Sequence, residues 1–208
     1  MKIKLKTIAQ ICKKEGYLGL CDGVDQQWVT TNNAFYPLGN LPKLDINNLA
    51  TIFDFTEKQL ESTSTKHFSL SGDFNFSDVC RNEEFVLLAK DFGDILTINF
   101  GEERLIPVMT TNELTFLNAD YLKPLTKPDE LDFYERRMGT IRYFVVKRGL
   151  FVVAVILPEH MLPNQIKLLE ELLEQMTEEK RATENLATEN TDNPNQLTLV
   201  KYKEERKA

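Results

Sequence analysis

The apolar residues of this chain change period several times, and each change marks an element. In "KTIAQICKKEG" Ile8, Ile11 and Cys12 recur at helical spacing, and Gly16 follows as a terminator. "YLGLCDG" is short and apolar and ends on an Asp22-Gly23 turn signal, which predicts a strand. "QQWVTTNNAFYPLG" predicts either one strand interrupted at Thr31 to Asn33 or a second hairpin. In "LPKLDINNLATIFDF" Asp45 is placed to cap a helix whose Ile46, Leu49, Ile52 and Phe53 share a face, and "TEKQLES" adds a short helical turn.

From Ser62 to Phe76 the pattern lapses. "STSTKHFSLSGDFNF" sustains neither period, so residues 62–83 are expected to form a loop or flexible excursion. "EFVLLAKDF", "DILTINFG", "RLIPVMTT" and "LTFLNADYL" then follow as short apolar runs broken by Gly, Asp and Asn, which predicts strands. "LKPLTKPDELDFYERR" carries two prolines and predicts a short helix. "TIRYFVVKRGLFVVAVILP" predicts a hairpin that turns at Gly149, its second strand central and covered on both faces. After Pro158, with Pro163 in the first turn, Leu162, Ile166, Leu169, Leu173 and Met176 form the stripe of an amphipathic helix, and Glu170, Glu171 and Glu174 keep the other face wet. The expected fold is α+β: a mostly antiparallel sheet with two or three helices and a C-terminal amphipathic helix. Residues 1–176 are expected as one domain. Residues 177–208 are polar and carry the doublet "ATEN"; too little apolar surface is present to offset ordering entropy, so a disordered tail is expected.

Composition narrows the function classes. Of 208 residues, 42% are apolar and 27% charged, and the net charge is −7, which argues against a general nucleic-acid coat but leaves a local basic face open. Cys12, Cys21 and Cys80 are an odd set with no CxxC, as expected of reduced thiols in a cytoplasm. "LFVVAVILP" is far shorter than the ~20 residues of a membrane helix. Met1 to Lys6 alternates charge with apolar residues and leads into no apolar run of signal-peptide type. A cytoplasmic protein of a bacterial host, without membrane attachment, is the expectation.

Candidate chemistry is sparse. His67 and His160 have no second histidine or cysteine at metal spacing. No GxSxG, GxxxxGKS or GxGxxG stretch occurs. A nuclease-like reading of Asp129, Glu135 and Lys147 fails because Val145 stands where a metal-binding acid is needed. Neither enzyme, cofactor nor metal is expected. "YERRMGTIRYFVVKRG" gathers Arg136, Arg137, Arg142, Lys147 and Arg148, which a hairpin would bring together as a phosphate-facing patch; the alternative is that these charges guard an apolar hairpin against aggregation. Trp28, Phe35 and Tyr36 have the chemistry to stack on bases, or to fill a core.

The tail returns to apolar residues at Leu197, Thr198, Leu199 and Val200. "QLTLV" resembles the peptide by which bacterial polymerases and repair proteins grip the replicative sliding clamp. Gln196, Leu197 and Leu199 match that pattern, Thr198 keeps a hydroxyl, and Val200 replaces an aromatic residue. The resemblance implies a protein partner, the sliding clamp, bound through an extended tail segment. Two alternatives stay open: a last strand that pairs with a sheet edge, and an inert tail.

Three further stretches, "QWVTTNNAFYPLGNLPKLDINNLATIFDF", "RLIPVMTTNELTFLNADYLKPL" and "ERRMGTIRYFVVKRGLFVVAVILP", resemble an uncharacterised family of prophages and mobile elements in Gram-positive (Firmicutes) bacteria. That resemblance implies a phage-type setting and assigns no activity to any residue. The functional expectation is a non-enzymatic accessory protein that docks onto macromolecules, with a nucleic-acid-binding, DNA-processing accessory and a phage anti-defence inhibitor as alternatives.

Overall fold

The computed structural model describes residues 3–39, 41–70, 74–88, 90–91, 94–110, 114–126, 130–161, 165–169, 171, 175 and 178. It separates into two compact units, residues 1–160 and 161–208. In the second unit residues 165–169, 171, 175 and 178 are helical and Leu169 is buried. Leu162, Leu173, Met176 and the tail peptide Gln196, Leu197, Leu199 and Val200 lie outside the described residues.

The first unit opens with α1 (Leu5–Glu15), which buries Ile8, Ile11 and Cys12. Gly16 ends it in the left-handed region, φ 64°, where a side chain would be strained. β1 (Tyr17–Asp22) and β2 (Gln27–Thr30) form a hairpin, and β2 continues into a second hairpin with β3 (Ala34–Pro37), so Thr31 to Asn33 is a turn. α2 (Ile46–Ile52) is capped by Asp45, whose side chain accepts from the Asn48 amide. Leu49 and Phe53 are buried, but Ile52 is exposed and does not share their face. α3 (Glu57–Glu61) begins with a reciprocal Thr56–Gln59 capping box.

Two sequence expectations fail here. β4 (Ser64–Ser69) is a strand, not a loop, and it pairs with β1 in parallel from Tyr17–Ser64 to Asp22–Ser69. Its position at the sheet edge explains the miss: nearly every side chain is exposed, so no hydrophobic alternation reports it. The stretch "LKPLTKPDELDFYERR", expected to hold a short helix, runs from Asp132 as a strand, β11, while its residues 127–129 lie outside the described residues. Between β4 and β11 lie β5 (Glu84–Val86), the small β6 (Lys90–Asp91) and β7 (Asp94–Ile95) pair, and a three-stranded sheet of β8 (Ile98–Phe100), β9 (Glu103–Met109) and β10 (Leu114–Asn118). A 3-10 turn at Ala119–Leu122 follows β10. β11 (Asp132–Met138), β12 (Ile141–Arg148) and β13 (Phe151–Ile156) complete the set. β11 hid itself by burying Glu135 and Arg136, charged residues that mask the period-2 pattern.

The main sheet runs β4-β1-β2-β3-β13-β12-β11-β5, and every described pairing except β1–β4 is antiparallel. This is the α+β architecture that the patterns predict. β13 is internal and buried from Val152 to Ile156, and Gly149 turns the β12–β13 hairpin at φ 58°. One face of the sheet, with Leu18, Leu20, Val29, Tyr36, Phe144 and Ile156, packs against α1, α2 and the β9–β10 sheet. The Tyr36 hydroxyl donates to the Tyr121 carbonyl at 2.8 Å and ties the two sheets together. The other face carries Cys21, Trp28, Tyr143, Val145 and Val155, and its cover is not a helix but the segment 74–83, here called the strap, which brings Phe74 and Phe76. Among the described residues no helix is long and apolar enough to cross a membrane.

Candidate functional site

The strap is fastened by Arg136 and Lys147, two of the five basic residues read from sequence either as a phosphate-facing patch or as guards of an apolar hairpin. Arg136 points inward from β11 and is 1% exposed. Its Nη1 donates to the carbonyls of Asn75 (2.7 Å) and Ser77 (2.9 Å), and its Nε and Nη2 donate to Glu83 Oε2 at 2.9 and 2.6 Å. Lys147 Nζ reaches the second oxygen, Glu83 Oε1, at 2.5 Å, and lies 4.6 Å from the centre of the Tyr134 ring. One carboxylate therefore serves two buried cations. Burial pushes the Glu83 carboxyl up, but the hydrogen bonds and charges of Lys147 and Arg136 outweigh it and the net displacement is downward. Elsewhere along the strap, Tyr143 and Asn75 exchange hydrogen bonds, and Asp78 Oδ1 accepts from the Val152 amide at 2.7 Å.

The five basic residues are thus not one patch. Arg136 and Lys147 are internal. Arg137 and Arg142 face each other across β11 and β12, and Arg137 donates to the buried Glu135 at 2.7 Å. Arg148 lies six positions further along β12, roughly 20 Å away at strand rise, and donates to the Thr126 carbonyl. The hairpin holds its basic ends apart, because cross-strand partners are fixed by register. The candidate base-stacking residues divide as well: Trp28 and Tyr36 are buried, and Phe35 packs edge-on against Phe76 at 5.1 Å.

His67 Nε2 lies 3.2 Å from Asp22 Oδ2, with Gln27 donating to Asp22 Oδ1 at 2.7 Å. Gln27 also bonds both backbone groups of Leu44, so this cluster anchors the approach to α2. His160 is exposed. No group of three or more His, Cys, Asp or Glu among the described residues has metal-binding geometry.

The open surface that sequence reasoning missed is a furrow at the ends of the central strands. β3 and β13 pair only at Phe35–Val155 and Ala34–Ile156. Beyond that they splay, because Pro37 has no amide to offer and the Val152 amide is taken by Asp78. The gap is about 510 Å³ and is lined by Ile3, Leu5, Pro37, Leu38, Leu41 and Phe151 among others. A second hollow of about 630 Å³ shares Gln26, Gly39 and Asp78 with it and extends to Val24 and Trp28. Phe151 is 65% and Val24 96% exposed, which is costly for an apolar group left facing water. A proline ending a strand, followed by "LGNLP", was the signal available in sequence.

No family model, curated protein or solved structure matches this chain.

Proposed function

We propose that this chain is a non-enzymatic accessory protein of phage type, cytoplasmic in a bacterial host, that acts by docking onto a protein partner. The observation that carries the reading is the furrow between the splayed ends of β3 and β13, with the apolar side chains of Phe151 and Leu41 exposed on its rim. Exposed apolar surface of this kind is where partner contacts concentrate, because covering it gains the transfer free energy that folding left unused. The phage setting rests on the three stretches that resemble prophage proteins. The tail peptide at Gln196, Leu197, Leu199 and Val200 adds a second contact in this reading, on the host sliding clamp. The nucleic-acid alternative is weaker, since two of its five cations are bonded to Glu83.

The test is capture from a bacterial lysate by four proteins side by side: the parent, Phe151→Asp with Leu41→Asp, the chain lacking residues 195–208, and Arg137→Glu with Arg148→Glu. The furrow reading expects the first substitution alone to abolish capture of a protein. Loss only with the tail deletion, reproduced on purified clamp, would move the docking site to the tail. Salt-sensitive shifting of DNA or RNA, lost in the charge-reversed protein, would replace both with the nucleic-acid reading.

A further inference from the structure

Beyond the furrow, the strap borders a third space of different chemistry, which shares no lining residue with the furrow and shares Leu70, Phe74 and Phe76 with the hollow beside it. It is a pocket of about 230 Å³, open to solvent on one side and walled by Phe35, Phe68, Leu70, Phe74, Phe76 and Leu157, with Ser69 at its margin. We propose that it is a binding site for a small, uncharged, apolar molecule the size of one substituted aromatic ring.

Three observations support the assignment. The walls come from separate elements: Phe35 from β3, Phe68 from the edge strand β4, Phe74 and Phe76 from the strap, and Leu157 from the end of β13. Three of the walls brace one another, because Phe76 packs edge-on against Phe35 at 5.1 Å and against Phe74 at 6.0 Å, and is itself backed by Trp28 at 5.1 Å. The strap itself is pinned through Arg136 and Tyr143 at Asn75, between Phe74 and Phe76. The space is therefore preformed, which lowers the ordering cost of an occupant.

Its size and polarity set the ligand class. The walls give a water molecule few hydrogen-bond partners, since among the described residues that line them Ser69 alone carries a polar side chain. Displacing such poorly held water by an apolar group is favourable. A space of about 230 Å³ admits one ring with a short alkyl substituent, and its described walls offer nothing to offset the desolvation of a charge.

Toluene and benzoate are the discriminating probes, used with the full chain. Toluene is expected to raise the melting temperature saturably, to shift the methyl resonances of Leu70 and Leu157, and to perturb the fluorescence of Trp28, the single tryptophan, through Phe76. Benzoate is expected to do none of these. Leu157→Phe, which fills the cavity, is expected to weaken toluene binding at least tenfold, with Leu70→Phe as the second filling variant should the first not fold. Phe151→Asp is expected to bind toluene like the parent, so that loss of partner docking and loss of this site are told apart. Absence of a saturable toluene effect, an equal effect of benzoate, or full toluene binding by a folded filled variant would each overturn the assignment.

Discussion

Replacing Glu83 with Gln removes one negative charge and almost no volume, and it leaves Arg136 and Lys147 buried without their shared counter-ion. Side-chain exposures of 1% and 7% put both cations beyond the help of bulk water. Breaking a buried pair by losing one partner typically costs about 3–5 kcal/mol. Lys147 keeps its contact with the Tyr134 ring, 4.6 Å from Nζ, so the lower end, about 3 kcal/mol, is expected. Against a total stability on the order of 5–15 kcal/mol, that loss is large enough to shift a urea midpoint well outside error. The pH dependence has a definite sign. The Glu83 carboxyl is lowered in the folded protein, so its contribution is present above the ordinary glutamate value and is lost as pH falls through the folded one. Glu83→Gln should therefore flatten the acid limb of stability as well as lower it. Urea unfolding followed by circular dichroism and by Trp28 fluorescence, at neutral and acid pH, measures both effects. A Glu83→Gln protein within about 1 kcal/mol of the parent would refute the view that the strap is held by this charge network.

Further expectations follow from other sites. Burial and the charges of Glu103 and Glu15 raise the Glu159 carboxyl, so stability falls as pH rises through its folded value; Glu159→Gln should remove that slope and raise the melting temperature at neutral pH, as calorimetry across pH would register. Burial pushes the Cys12 thiol up to about 12 and the Cys21 thiol up to about 11, so both should resist alkylation in the native protein and react only on unfolding, while half-buried Cys80 is modified first, as mass spectrometry would record. Asp45→Ala removes the cap on α2 and should cost about 1 kcal/mol in chemical denaturation, with Asp45→Asn nearly neutral.

Legibility in the sequence followed the visibility of periodic burial. α1, the capped α2 and the β12–β13 hairpin declared themselves because apolar side chains repeat at their spacing and Gly16, Asp45 and Gly149 mark their limits, whereas the β2–β3 turn was one of two readings left open. β4 was hidden because an edge strand is specified by backbone pairing with β1 rather than by its own side chains. β11 was hidden for the opposite reason: Glu135 and Arg136 occupy buried positions where a pattern reader expects apolar residues. The basic patch failed on the same ground. Residue type reports charge, but the inward turn of Arg136 and Lys147 depends on Glu83, a residue far off in the chain whose location in the strap carries no local signal. The furrow and the aromatic cavity arise from gaps between distant elements, and no single stretch encodes a gap.

The seam between β3 and β13 also dictates the order in which the molecule can be assembled. On its amino side the sheet is built from near neighbours, β4-β1-β2-β3, and on its carboxyl side from β13-β12-β11-β5. Only Phe35–Val155, Ala34–Ile156 and the Leu157 amide on the Asn33 carbonyl pair the backbones of these halves. A chain emerging from the ribosome must therefore carry β3 with a naked margin through the synthesis of everything up to Phe151 before its neighbour exists. Closing so distant a contact is slow. During that interval the uncovered edge is the place where newly made copies would adhere to one another.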